Sequence, residues 1–156
     1  MNTRGLLTAA AICVVSAAIE GLCAGSGVKA FFATLRTPKY SAPLPVWYAI
    51  GVGYYVTFGL ILYRLLVLPG PSRSAQGALA LVVTMMLANA LWNFVFFRAR
   101  NLFIAFVTSS AAPLADIVLF IWLLRLDQPS ALALVPYLAY RVYAVWWGYA
   151  LWAANR

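Results

Sequence analysis

Apolar positions along the chain fall into five long runs, separated by short segments rich in charges, proline or glycine. One run, residues 78–97, contains twenty residues without a charge. At ~1.5 Å per residue in a helix, it is long enough to cross a hydrocarbon layer of ~30 Å. The pattern predicts an all-α integral membrane protein, a bundle of five transmembrane helices forming a single domain over residues 1–156. The predicted spans lie near residues 5–30, 46–68, 77–97, 102–124 and 131–154.

The first apolar run follows Arg4 and has two interpretations. A basic residue before an apolar stretch with small residues is typical of a cleaved signal peptide. The stretch continues past Glu20 to Val28, which is too long for a cleaved segment and favours a retained helix. Within it Gly21 and Gly25 form a GxxxG pattern, which predicts close packing inside the bundle.

Prolines interrupt the chain after the first and second runs. Residues 31–45 read FFATLRTPKYSAPLP, and their three prolines exclude a continuous helix. This segment is longer than a plain connection needs and predicts a partly ordered loop acting as a lid. Residues 69–72, Pro-Gly-Pro-Ser, break the chain again. The predicted lid residues are Phe31, Phe32, Pro38, Tyr40 and Pro43.

The third span has two distinct faces. Polar and aromatic residues recur at spacings of three and four, which places them on one side of a helix. Their carboxamides need partners that lipid does not offer, so this face is expected to look into the protein. Its members are Asn89, Trp92, Asn93 and Phe96. Small residues on another stripe, Ala80, Thr84 and Ala88, predict a seam where a second helix approaches closely, and hence a homodimer.

Composition agrees with a membrane protein and excludes several other classes. The chain is 65% hydrophobic and 9% charged, which no soluble domain of this length matches. Its eleven Lys and Arg residues are scattered at the ends of apolar runs and do not form a nucleic-acid-binding face. Two cysteines without any histidine predict neither a metal site nor a disulfide framework. No phosphate-binding loop or catalytic triad is apparent.

Glu20, Asp116 and Arg141 lie within apolar runs and away from their ends, where charges are costly and usually functional. Arg141 and Asp116 fall at similar depths in neighbouring antiparallel helices, which predicts an ion pair. Glu20 and Asn89 lie about a turn deeper and would extend a polar layer across the interior. A small proton-coupled transporter would need such charges, and this is an alternative function for the chain.

Basic residues at the span ends give a weak indication of orientation. Arg4, Arg64, Arg73 and Arg125 flank one side, and Lys29, Arg36, Lys39, Arg98, Arg100 and Arg156 flank the other. The larger group is expected to be cytoplasmic, which predicts an outside N-terminus and a cytoplasmic C-terminus.

Several short motifs occur together in a characteristic order. They are a proline-rich first loop, Asn89-x-x-Trp92, Phe96-Phe97, Asn101-Leu102-Phe103, Leu134-Val135-Pro136-Tyr137 and the terminal Trp152-Ala153-Ala154-Asn155. In this order, over essentially the whole chain, the sequence resembles the TspO/translocator protein family. The resemblance implies a five-helix membrane bundle, often dimeric, with a cavity under the first loop that binds tetrapyrroles, sterols or drug-like molecules.

The chain departs from the family pattern at positions that matter for chemistry. Gly51 and Tyr140 stand where the family has cavity tryptophans, and Tyr40 replaces a tryptophan of the first loop. Some members are credited with oxidative porphyrin degradation through those cavity indoles. Their loss argues against an enzyme and leaves binding as the expected role.

The resemblance and the interior aromatic residues together define a candidate binding site. Its expected ligand is a protoporphyrin-like or haem-like tetrapyrrole, or a sterol-like molecule, and no cofactor is required. The same aromatics could serve only as interior packing, but as a set around a cavity they favour binding. The predicted ligand-binding residues are Tyr54, Tyr55, Asn89, Trp92, Asn93, Phe96, Tyr137, Tyr140 and Arg141.

Overall fold

The computed structural model describes residues 2–70 and 72–156, and every regular element in them is helical. Pro71, in the predicted break after the second span, lies outside the described residues. Six α-helices and one π-helical turn follow each other along the chain. They are α1 (Thr3–Ala24), α2 (Val28–Thr34), α3 (Leu44–Val67), α4 (Arg73–Asn93), the π-helical turn (Phe94–Arg98), α5 (Leu102–Leu126) and α6 (Gln128–Ala154).

The first helix ends at Ala24, earlier than the predicted boundary at residue 30. Gly25 has φ 73° and ψ −175°, a conformation that residues with a Cβ rarely adopt, and it stops the helix there. A Cβ built on Gly21 or Gly25 would meet nothing within 4 Å. The prediction that this GxxxG pattern marks close packing is therefore wrong. Gly25 ends the helix, and Gly21 is exposed beside the cavity described below.

Part of the predicted lid loop is helical. Residues 28–34 form α2, which places Phe31 and Phe32 on a short helix. The loop proper runs from Leu35 to Pro43, and Pro43 caps α3. The lid is thus a helix followed by an extended segment.

The α4 helix changes its winding near its end. Ala99 N donates to the carbonyl of Phe94 at 2.9 Å, a bond that spans five residues and defines the π-helical turn. Such turns insert an extra residue into a helix and often occur at functional sites. Here the turn carries Phe96, which is buried, and Phe97.

Four helical stretches are long and apolar enough to cross a membrane: Thr3–Ala24, Leu44–Val67, Arg73–Arg98 and Leu102–Leu126. Large apolar side chains such as Leu22, Val56, Leu114 and Val142 lie exposed on the outside. Exposure on this scale suits a surface in contact with lipid. The α6 helix has 27 residues but is less apolar, because it contains Arg141, Pro136 and many tyrosines and tryptophans.

Two apolar clusters hold the helices together. The first joins α3, α4, α5 and α6 through side chains such as Phe58, Val82, Leu119 and Leu134, all 0% exposed. The second lies near the lid and contains Phe31, Phe96, Ala105, Trp147 and Leu151. The candidate site lies where these two clusters meet.

A polar contact fixes the end of α3 to the turn between α5 and α6. Arg64 donates from Nε and Nη2 to the two carboxylate oxygens of Asp127, at 2.6 and 2.8 Å. Asp127 is also the N-cap of α6, because its side chain accepts hydrogen bonds from the backbone N–H and the hydroxyl of Ser130. The Arg64 guanidinium, with help from Ser130, lowers the pKa of Asp127 from an ordinary 3.8 to about 2.

Candidate functional site

A cavity of about 410 Å³ lies between α1, α3, α4 and α6, with α2 beside it. All nine predicted ligand-binding residues line this cavity. The inward orientation predicted for Asn89, Trp92, Asn93 and Phe96 is confirmed, since Asn93 and Phe96 are buried and all four side chains line it. That the cavity binds a ligand stays a prediction.

Aromatic rings form much of the wall. Trp92 stacks on Phe96 with ring centroids 4.9 Å apart and planes 13° apart. The Trp92 Nε1–H donates to the carbonyl of Ala105 at 2.9 Å. This bond joins α4 to α5 and fixes the indole, so that its apolar surface is held in place beside the cavity.

Trp47 lines the cavity although it is not among the predicted ligand-binding residues. Its ring lies 4.5 Å from that of Trp147 and 6.0 Å from that of Tyr143, centroid to centroid. Trp147 is buried on α6 and also lines the cavity. Helical spacing could have found it, because Trp147 lies seven residues after Tyr140 and therefore on the same face. Trp47 gave no such signal, since interfacial tryptophans are common at helix starts.

The extended part of the lid is fixed by side chains from below. Tyr143 OH donates to the carbonyl of Tyr40 and accepts from the N–H of Ala42, both at 2.9 Å. Trp147 Nε1 donates to Ser41 Oγ at 2.8 Å, and Trp47 Nε1 donates to the Ala42 carbonyl at 2.9 Å. Three aromatic side chains thus hold the segment 40–42 over the bundle.

The five predicted lid residues differ in position. Phe31 is buried against Phe96 and Phe97, and Phe32 stacks on Trp147. Of the five, Phe32 alone is among the residues that line the cavity. Tyr40 is 70% exposed, and its backbone carbonyl accepts the hydrogen bond from Tyr143 OH. Pro38 and Pro43 shape the backbone without lining the cavity.

The carboxylate of Glu20 lies in the wall with two neutral partners. Its Oε2 accepts from the hydroxyl of Tyr55 at 2.7 Å and from Asn89 Nδ2 at 2.9 Å. Asn93 Nδ2 donates to the Asn89 carbonyl at 3.0 Å. The predicted polar layer of Glu20 and Asn89 is therefore present and also includes Tyr55.

Arg141 forms the predicted ion pair with Asp116. The Nε–Oδ2 distance is 2.8 Å, and the two side chains are 13% and 2% exposed. The guanidinium also lies 5.7 Å from the centroid of the Tyr137 ring. Because Arg141 lines the cavity while bound to Asp116, it can act as a structural pair and as a wall group.

Tyr54 has an unusual hydroxyl. The residue is 6% exposed and lines the cavity, yet its OH has no hydrogen-bond partner among residues 2–70 and 72–156. A buried hydroxyl without a partner costs about 1–3 kcal/mol. The residue lines the cavity, but its hydroxyl oxygen is itself buried, so a polar group in the cavity would reach it only after the ring shifts.

A second cavity of about 390 Å³ lies on the other side of the same wall, towards α5. It shares Trp47, Tyr54, Trp92 and Arg141 with the first cavity. Asp116, Thr108 and Ser109 belong only to the second. Arg141 thus lines both cavities, which are of similar size, while its partner Asp116 lines the second.

The predicted dimer seam lies on an exposed face of α4, where Ala88 also lines the second cavity. Ala80, Thr84 and Ala88 are all exposed in the single chain, and Thr84 Oγ1 donates to the carbonyl of Ala80 at 2.9 Å. The hydroxyl is satisfied within its own helix, which leaves a surface of small groups uncovered. Their role as a seam stays a prediction.

Comparison with known proteins gives one family. No curated protein matches the chain. The model of the TspO/MBR family matches residues 9–153, which is nearly the whole chain and includes every helix lining the cavity. With a membrane-type helical fold and this full-length match, the chain belongs to the TspO/MBR family.

Proposed function

We propose that this protein binds flat, hydrophobic ring molecules in its intramembrane cavity and acts as a sensor or carrier for them. The expected ligands are tetrapyrroles related to protoporphyrin or haem, or sterol-like molecules. The observation that carries the proposal is a cavity of about 410 Å³, walled by aromatic rings and a few polar groups. Small-molecule sites have this composition and volumes of roughly 300–1,000 Å³.

The indoles of the cavity support binding through their faces. The Nε1–H groups of Trp47, Trp92 and Trp147 are all bonded to protein acceptors. Gly51 and Tyr140 line the cavity at the positions where the family has further tryptophans. We propose binding without oxidative degradation, with Gly51 leaving space for the ligand.

A titration with protoporphyrin tests the proposal. We expect saturable quenching of protein fluorescence and a shift of the porphyrin absorbance band in detergent-solubilised protein. Trp92→Ala should weaken binding by about 1–3 kcal/mol, because it removes a fixed ring from the wall. Trp146→Ala is the matched control, since Trp146 is 41% exposed and lies outside the cavity lining. Equal dissociation constants for both folded variants would count against this pocket.

We further propose that five helices cross the membrane, with α6 as the fifth. At ~1.5 Å per residue, its 27 residues reach about 40 Å, which is long enough to span. Its tyrosines, tryptophans and Arg141 lower its hydropathy, but several of them face the cavity and not lipid. Five spans place the two termini on opposite sides of the membrane. The larger number of basic residues on the C-terminal side then puts the N-terminus outside and the C-terminus in the cytoplasm.

Labelling of single cysteines tests this topology. In a protein with Cys13→Ser and Cys23→Ser, the variants Ser72→Cys and Arg100→Cys, which flank α4 and its π-helical turn, should react with an impermeant reagent from opposite sides. Reaction of both from one side would overturn the five-span topology.

We also propose a homodimer in which α4 meets its copy along Ala80, Thr84 and Ala88. Exposed small residues at four-residue spacing permit close helix approach within lipid.

A second candidate function is proton-coupled transport. It is favoured by the hydrogen-bonded group of Glu20, Tyr55 and Asn89 and by the Asp116–Arg141 pair inside the bundle. Proteoliposomes should then show substrate flux driven by a pH gradient, and Glu20→Gln should abolish it. Saturable porphyrin binding without such flux supports the sensor instead.

A further inference from the structure

We infer that the cavity selects ligands that carry a protonated amine, and that Glu20 is the residue that recognises it. The inference rests on the proposed function, because the site is the same cavity. It adds a preference within the class of flat ring molecules: those with an ammonium group should bind more tightly than porphyrins with carboxylates.

The charge of Glu20 is not balanced by a basic residue in the described part of the chain. Among the described residues, the two ion pairs are Arg64–Asp127 and Arg141–Asp116. Glu20 therefore has no basic partner there, and its two hydrogen-bond donors, Tyr55 and Asn89, are neutral. A carboxylate within a membrane protein is costly unless a positive group compensates it.

The two oxygens of the Glu20 carboxylate differ in their contacts. Both donated hydrogen bonds reach Oε2, and Oε1 has no partner among residues 2–70 and 72–156. Glu20 is only partly buried and lines the cavity. An ammonium N–H of a ligand can therefore bond to Oε1 without displacing any protein contact, and a bond between two charged groups is about twice as strong as a neutral one.

Glu20 shares the cavity wall with several aromatic rings. The cavity is lined by Tyr54, Tyr55, Tyr140 and Trp92, and Tyr55 contacts the carboxylate directly. Aromatic rings attract cations through their electron-rich faces, and such cages recognise ammonium groups in other proteins. An aromatic wall with one uncompensated carboxylate suits a cation better than an anion.

The Tyr54 hydroxyl gives a second observation, which does not depend on charge. Tyr54, 6% exposed, lines the same cavity, and its buried hydroxyl oxygen has no partner among residues 2–70 and 72–156. A shift of this ring on binding would let a polar group of the bound molecule satisfy the hydroxyl. A ligand with a polar amine end and a flat apolar body meets both requirements.

The experiment uses three porphyrins with one macrocycle and different side chains: protoporphyrin with two carboxylates, its neutral dimethyl ester, and a bis(aminoethyl) amide with two ammonium groups. We expect wild-type affinity to rise from the diacid to the ester to the amine, by about fivefold or more per step, from a charge interaction screened as in a protein interior. Glu20→Gln retains acceptors for Tyr55 and Asn89 but removes the charge, and should reduce each step to about twofold or less.

The outcomes separate the inference from the function. If none of the three porphyrins binds saturably, the proposed function fails. If all bind with equal affinity, or the diacid binds most tightly, the inference is overturned while the function stands. Comparing each probe between two proteins in one detergent cancels its partitioning into micelles.

Tyr55→Phe removes a donor to Oε2 but keeps the charge of Glu20, so it should preserve the order of the three porphyrin affinities. Loss of this order in the variant would contradict the role of the Glu20 charge. If Glu20→Gln does not fold, Glu20→Ala is compared with the wild type in the same way, and equal changes in affinity for the three porphyrins overturn the inference.

Discussion

The guanidinium of Arg141 on α6 donates from Nε to Oδ2 of Asp116 on α5 at 2.8 Å, with the carboxylate side chain 2% exposed. A buried charge whose partner is removed is left uncompensated, whereas removal of both charges leaves only apolar packing. The pair therefore joins α5 to α6, and Arg141 lines both cavities.

Arg141→Met, Asp116→Leu and the double variant test this pair. Each single change should lower the free energy of unfolding by about 3–5 kcal/mol, and the double variant should regain most of that loss. Denaturant unfolding in detergent, followed by tryptophan fluorescence, measures all three. Additive losses in the double variant would contradict a coupled pair.

Porphyrin affinity of the same variants addresses the second role of Arg141. We expect the double variant to bind protoporphyrin as the wild type does, because Arg141 serves first to neutralise Asp116. A large loss of affinity for the diacid, with the dimethyl ester unaffected, would assign Arg141 to the binding of a ligand carboxylate.

Helical periodicity predicted much of this site. The face of α4 with Asn89, Trp92 and Phe96 points inward because lipid cannot satisfy its polar groups, and the sequence alone contains that requirement. Depth along the helices predicted the Arg141–Asp116 pair. The first prediction concerns the face of one helix, which follows from 3.6 residues per turn. The second concerns the depth of two residues in adjacent helices, which follows from a rise of about 1.5 Å per residue.

Contacts that depend on the rotation of distant helices could not be predicted. The bond from Tyr55 to Glu20 joins α3 to α1, and its existence depends on how each helix turns about its axis. Trp47 resembles an interfacial anchor in sequence, and only the position of α6 makes it a wall residue. The end of α1 at Gly25 was missed because the same glycine also completes a packing pattern.

Tyr54→Phe should change stability and affinity in opposite directions. Removing a buried hydroxyl without a partner should stabilise the ligand-free protein by about 1 kcal/mol. The same change should weaken binding of a ligand whose polar group reaches that hydroxyl. Thermal unfolding without ligand and a porphyrin titration measure the two effects.

Tyr55→Phe is the control for this experiment, because the Tyr55 hydroxyl is bonded to Glu20. Its loss should destabilise the ligand-free protein. A Tyr54→Phe protein with increased stability and unchanged affinity would leave the hydroxyl without a role in binding.

Thr84→Leu with Ala88→Leu should disrupt the proposed dimer. Both positions are exposed on α4, so larger side chains have space in the monomer but would prevent two α4 helices from approaching closely. Light scattering of the detergent-solubilised protein should show a shift from dimer to monomer. Val56→Leu, at another lipid-facing position that is 66% exposed, is the control. An intact dimer in the double variant would place the seam elsewhere.

Asp127 should make stability depend on pH in the acidic range. Hydrogen bonds from Arg64, and then from Ser130, lower its pKa in the folded protein from 3.8 to about 2. Because the folded pKa is the lower one, this stabilisation is fully present above the unfolded pKa and is lost as pH falls through the folded value. The free energy of unfolding should therefore fall between pH 3.8 and about 2.

Asp127→Asn isolates this contribution from those of the other carboxylates. The variant keeps an oxygen that can cap α6 but loses the charge, and should be less stable than wild type by about 1–3 kcal/mol at neutral pH. That difference should stay constant down to about pH 5 and narrow below about pH 4, because protonation removes the same charge from the wild type. Unfolding midpoints of both proteins across this range measure the difference. A gap that does not narrow on acidification would show that the Arg64–Asp127 contact does not stabilise the fold through the charge of Asp127.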